Sequence, residues 1–142
     1  MKNQFLFLSL ICAFALLFTS CGKNPEKTLP SKDGKWTLSG TYTTTTSITG
    51  FPNQVSSGTD TGTATFTSNS VTVTDGSNTE VYSWSYADDK ITLTNSSSGV
   101  IVFDVTSASS KKEVWHHDQT DTQTTLGITT SVHYVADWTL TR

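Results

Sequence analysis

The sequence predicts an all-β domain of antiparallel strands, in the form of a meandering barrel or a sandwich. Three observations predict it. From Trp36 onward, apolar and polar residues alternate, the period-two mark of half-buried strands. Clusters of Gly, Asn, Asp and Ser separate the alternating segments and are the residues that make turns. Thr makes up roughly a fifth of the chain, and helix formers are scarce after the first twenty residues. β-branched Thr suits the solvated face of a pleated sheet, where its methyl packs and its hydroxyl stays wet.

The segments follow in order. Trp36-Thr37-Leu38-Ser39 alternates, and Ala64 and Phe66 share a face within Thr63–Thr67. Val71 and Val73 alternate with Thr72 and Thr74. Tyr82, Trp84 and Tyr86 share one face, with Ser83 and Ser85 on the other. Ile91 and Leu93 repeat the pattern, then Ile101, Phe103 and Val105, and last Tyr134, Ala136, Trp138 and Leu140. Asp75-Gly76-Ser77-Asn78 and Ala87-Asp88-Asp89 read as tight turns, and Asn95–Gly99 as a slightly longer one. Such short links favour hairpins over parallel crossovers, which need about a dozen residues. The patterning suggests about eight to ten strands. Thr43–Thr61 contains Gly50, Pro52 and Gly58 with few apolar residues; it reads as a mobile loop or as two weak strands.

Composition narrows the class of function. The chain of 142 residues has room for one domain. Hydrophobic residues are 35% and charged residues 15%, which is not the balance of a disordered chain. The net charge of -3 comes with no basic cluster able to neutralise a row of phosphates, so a nucleic-acid partner is not expected.

The first twenty residues stand apart. Lys2 precedes an apolar run from Phe5 to Phe18, broken only by Ser9. As a helix this run would be about 21 Å long, short of a hydrocarbon core of about 30 Å. It matches the apolar region of a secretory leader. The run ends in Leu17-Phe18-Thr19-Ser20-Cys21, which resembles the bacterial lipobox: an apolar residue, small residues, then Cys. Phe18 is bulkier than the residue usual at its place. The resemblance implies a signal peptide over residues 1–20 and a thioether-linked diacylglycerol on Cys21, with a further acyl chain such as palmitate on its amine. It also implies a cell-envelope location, lipid-anchored to the outer membrane, with the membrane as a partner through Cys21. Each buried methylene contributes about 0.8 kcal/mol, so several chains make a durable anchor where one does not. Cys12 lies in the leader, so a mature chain would keep Cys21 alone and could form no internal disulfide. Residues 21–34 then read as the acylated N-terminus and a flexible polar tether, and residues 35–142 as the folded domain.

Over that domain the chain resembles the small lipocalin-like lipoproteins of the Bacteroidetes. Gly34-Lys35-Trp36-Thr37-Leu38 is similar to the opening Gly-x-Trp-x-Leu of the first lipocalin strand. Gly62–Phe66, Tyr82–Tyr86 with Asp89–Leu93, Ile101–Val105 and Trp138-Thr139-Leu140 are similar to later strands, in the same order. The resemblance implies an up-and-down antiparallel barrel of about eight strands and, by inheritance, small-molecule binding.

Candidate chemistry is sparse. No Gly-x-Ser-x-Gly elbow, phosphate-cradling loop or dinucleotide fingerprint occurs, so the chain is not expected to be an enzyme, and no cofactor is implied. Asp88-Asp89 reads as a turn, not as a catalytic acid pair. His116, His117, Asp118 and His133 raise the question of a metal. Adjacent strand residues point to opposite faces, so a ligand set would need one of the first two with His133 and Glu113 or Asp118. Surface histidines are the plainer reading, and no metal site is expected. The aromatics Trp36, Tyr82, Trp84, Tyr86, Phe103, Tyr134 and Trp138, together with Trp115, either fill the core, line a ligand pocket or form an exposed stacking platform. Two functions compete. One is a monomeric, non-enzymatic binding module for a small apolar or amphipathic ligand. The other is an envelope interaction protein that reaches a protein or glycan partner through the Thr43–Thr61 segment.

Overall fold

The computed structural model describes residues Asn24–Arg142. The leader and Cys21 lie outside the described residues. After a short helix, α1 (Pro25–Thr28), eight strands follow: β1 (Lys35–Ile48), β2 (Gln54–Phe66), β3 (Ser70–Asp75), β4 (Asn78–Ala87), β5 (Lys90–Asn95), β6 (Gly99–Ala108), β7 (Lys112–Thr125) and β8 (Ile128–Thr141). Each pairs antiparallel with its sequence neighbour, and β1 pairs with β8, so the sheet closes into an up-and-down barrel. Closure leaves no sheet edge around the barrel proper. The barrel alternative is therefore the correct one, with eight strands.

Turn chemistry sets the registers. Asp88 and Asp89 both adopt positive φ, 51° and 57°, between the paired residues Ala87 and Lys90. That is the two-residue hairpin geometry whose twist matches the flanking strands. Leu126 and Gly127 do the same between Thr125 and Ile128.

The strands are unequal. β1, β2, β7 and β8 run for 13 or 14 residues, while β3 and β5 have six. β2 pairs with β3 only over Thr63–Phe66, and β7 with β6 only over Glu113–His116. The remaining halves of the long strands, in the order β2-β1-β8-β7, therefore stand beyond the barrel wall as a four-stranded flange. Thr43–Thr61 belongs to it and is strand except at the tip, 49–53. It lacked apolar alternation because much of it stands above the wall, where both faces of the sheet meet solvent.

The two poles differ. At the pole where odd strands begin, α1 and Leu29 close the barrel. Leu29 is 0% exposed, and its carbonyl accepts the Trp36 indole N–H at 2.9 Å. Asn24 caps α1 by accepting the Glu26 amide, and Pro25 opens it. This corrects the expectation of a flexible tether for Asn24–Gly34. The segment is polar in composition, but Pro25, Thr28 and Leu29 are enough to plug one end. Gly34, at φ +66°, lies so close to the Phe66 carbonyl that a Cβ would sit 1.9 Å from its oxygen; no other residue fits there. The Arg142 guanidinium lies 4.2 Å over the Trp36 ring and donates to the Ser31 carbonyl and hydroxyl.

Charge is segregated along the barrel axis. Lys35, Lys90 and Lys112 each begin an odd strand, and Lys111 and Arg142 lie just outside β7 and β8. Lys27 and Lys32 belong to the plug. Among the described residues every Lys and Arg thus lies at the closed pole. The open half carries carboxylates but, among the described residues, no Lys or Arg.

Candidate binding site at the barrel mouth

The interior is filled over its closed half. Trp36, Leu38, Phe66, Val71, Trp84, Ile91, Leu93, Phe103, Trp115 and Leu140 are buried in one cluster. Aromatic rings run through it as a column. Trp84 meets Phe66 edge-on at 5.5 Å, Phe66 meets Trp115 at 6.0 Å, Trp115 meets Phe103 at 5.7 Å, and Phe103 meets Trp138 at 4.8 Å. Such contacts add to the area each ring buries. His117 and Tyr134 carry the column into the flange, where Tyr134 stacks on Tyr42.

Above the packed layer the side chains leave a cleft of about 210 Å³. Its floor and walls are Leu38, Val73, Tyr82 and Trp138; its polar groups are Asp60, Asp75, Asn78 and Glu80. All eight point inward by strand parity. Leu38 lies opposite Gly62 and Leu140, Gly40 opposite both Asp60 and Trp138, and Val73 opposite Glu80. Gly40 is what seats Trp138, since a Cβ there would come within 2.5 Å of the indole ring. The indole N–H donates to Asp60 Oδ2 at 3.0 Å, and the Tyr82 hydroxyl donates to Glu80 Oε2. Burial, reinforced by Glu80, raises the Tyr82 pKa; burial also raises that of Tyr134, with Asp60 adding to it. Both phenols therefore remain donors at neutral pH.

The predicted aromatics divide between roles. Trp36, Trp84 and Phe103 are core, with Trp36 only 1% exposed. Tyr86 sits near the closed pole, where its hydroxyl donates to Asp89 and its pKa is pushed up to about 12 by that bond. Tyr134 belongs to the flange. Tyr82 and Trp138 alone line the cleft. Sequence reasoning did not single out its carboxylates. A signal was available: Asp60, Asp75 and Glu80 occupy the same parity as Ala64, Val73 and Tyr82, acids at inward positions of otherwise apolar rows. Trp115, on the inward row Glu113-Trp115-His117, proves central to the core.

The histidines go separate ways. His116 Nδ1 lies 2.7 Å from Asp137 Oδ1 and His133 Nε2 2.8 Å from Asp118 Oδ1, both on the outer face. His117 is buried, with Nδ1 2.6 Å from the Val102 carbonyl, where β7 parts from β6. Among the described residues no three metal-ligating groups converge. A second hollow, of about 350 Å³, lies on the outside of the closed pole between Lys32, Lys35 and Arg142. Its Arg142 is already held by Ser31 and Ser110.

Comparison of the chain with protein-family models, curated proteins and solved structures gave no match.

Proposed function

We propose that the chain is the precursor of a bacterial lipoprotein, cleaved before Cys21 and held to the outer membrane by acyl chains on that residue. Its lipocalin-like barrel serves as a non-enzymatic binding module for a small ligand. The observation that carries the reading is the cleft, formed by inward side chains of five strands above a fully packed layer. Its volume lies below the range of about 300–1,000 Å³ that suits drug-sized ligands. The occupant is therefore small. One chain supplies the whole cleft, so a monomer suffices. Native mass spectrometry of the full-length protein, purified from its host in a mild detergent, tests both parts. The expected result is a diacylglyceryl mass on Cys21 that Cys21→Ser removes, with a small adduct on the barrel. An unmodified Cys21 defeats the anchor, and an adduct-free barrel that takes up no added small molecule defeats the module.

A second reading is favoured by one specific observation. Leu126 is 98% exposed and adopts left-handed φ, 53°, at the tip of the β7–β8 hairpin; Phe51, at the neighbouring tip, is 68% exposed. Stability alone would place Asn at such a position. The flange tip is then a contact surface for an envelope protein with an apolar patch. Photo-crosslinking from position 51 in intact cells tests this, and an uncrosslinked chain speaks against it.

A further inference from the structure

We infer that the ligand of the mouth cleft is a small organic cation: an amine or quaternary ammonium group carried on a short apolar or hydroxylated stem. This rests on reading the cleft as the binding site and names its chemistry. Three features converge. The rim carries three carboxylates, Asp60, Asp75 and Glu80. Two of these are oriented by ring donors, the Trp138 indole and the Tyr82 hydroxyl. Each pairing leaves the other carboxylate oxygen for a ligand. The walls are those same two aromatic side chains, of the type that attracts cations, over an apolar floor of Leu38 and Val73. Finally, no Lys or Arg of the described residues lies in the open half to neutralise the rim. The segregated charge makes the mouth uniformly negative, and a cleft with low-dielectric walls concentrates that field.

The carboxylates do not read as a metal site. No three metal-ligating groups converge among the described residues. An anionic or purely apolar ligand would meet the same carboxylates without compensation.

The test uses an internal reporter. All four Trp indole N–H groups are hydrogen-bonded: Trp36 to Leu29, Trp84 to Thr67, Trp115 to Glu113 and Trp138 to Asp60. Only Trp138 lines the cleft. The full chain, labelled with nitrogen-15 in a non-ionic detergent, is titrated with choline and with its uncharged isostere 3,3-dimethylbutan-1-ol. Trp138→Phe assigns the peak. Choline is expected to move the Trp138 indole signal saturably and leave the other three in place, while the isostere moves none. Asp60→Asn and Glu80→Gln should each weaken choline binding by about tenfold, through loss of one nearby opposite charge. Equal shifts with both compounds overturn the cationic preference and leave the cleft standing as a binding site. No shift with either overturns the inference together with the reading of the cleft.

Discussion

The Thr28 hydroxyl donates to Glu113 Oε1 at 2.9 Å, joining the segment before the first strand to the start of the seventh across 85 residues of chain. Glu113 is fully buried, and its second oxygen accepts the Trp115 indole N–H at 3.1 Å. Burial raises its pKa; the two hydrogen bonds and the Arg142 charge offset this only in part.

A pH dependence follows. The folded state holds the Glu113 proton more tightly than the unfolded state does. Stability from this group is therefore undiminished below the ordinary glutamate value of 4.5, and falls as pH rises from there through the raised folded value. Urea unfolding midpoints should decline over that window in the wild type. Glu113→Gln should flatten the decline, because its amide does not titrate. Identical slopes for the two proteins would refute the account.

The plug makes a second prediction. Leu29→Ala should cost about 2–5 kcal/mol, as for other buried leucines. Lys32→Ala, on the same segment but outside the core, should stay within about 0.5 kcal/mol. A free tether would make both changes silent, so thermal denaturation of the pair separates the two pictures.

A third concerns the hairpin tip. Leu126→Asn replaces an exposed apolar residue in left-handed geometry by one that tolerates it, and should stabilise the fold by about 1 kcal/mol. Calorimetry should show a raised Tm. A fall would mean that Leu126 makes a contact its 98% exposure does not reveal.

Gly40 supplies the fourth. A methyl group there would meet the Trp138 ring at 2.5 Å and the Asp137 carbonyl at 2.7 Å. Gly40→Ala should therefore cost about 1–3 kcal/mol in overpacking and shift the Trp138 indole resonance by pushing the ring from Asp60. An unmoved resonance would show that the ring is not seated by this glycine.

The barrel wall was legible in the sequence because each wall strand buries one face, and burial imposes alternation. Ile91 and Leu93 in β5 show this in its simplest form. The plug was not legible. Pro25 and Leu29 make no periodic run, and their burial depends on Trp36 and Glu113, which lie outside the segment. The cleft was half legible. Tyr82 and Trp138 stood out as aromatics, while Asp60 and Glu80 read as ordinary polar residues until pairing placed them on the inward face.

The seam between β1 and β8 gives the flange a history as well as a shape. Thr37 pairs with Thr141, and the register runs on to Ile48 and Thr130. During synthesis the first hairpin, β1–β2, must therefore wait for nearly the whole chain before its partner arrives. Contacts so distant in sequence close slowly, and an exposed strand that waits is prone to aggregate. The half of β1 that ends up in the flange is Thr43-Thr44-Thr45-Thr46-Ser47. It favours the extended form yet offers little apolar surface to a neighbouring chain, so the threonine that marks this sequence also limits what the waiting strand presents for aggregation.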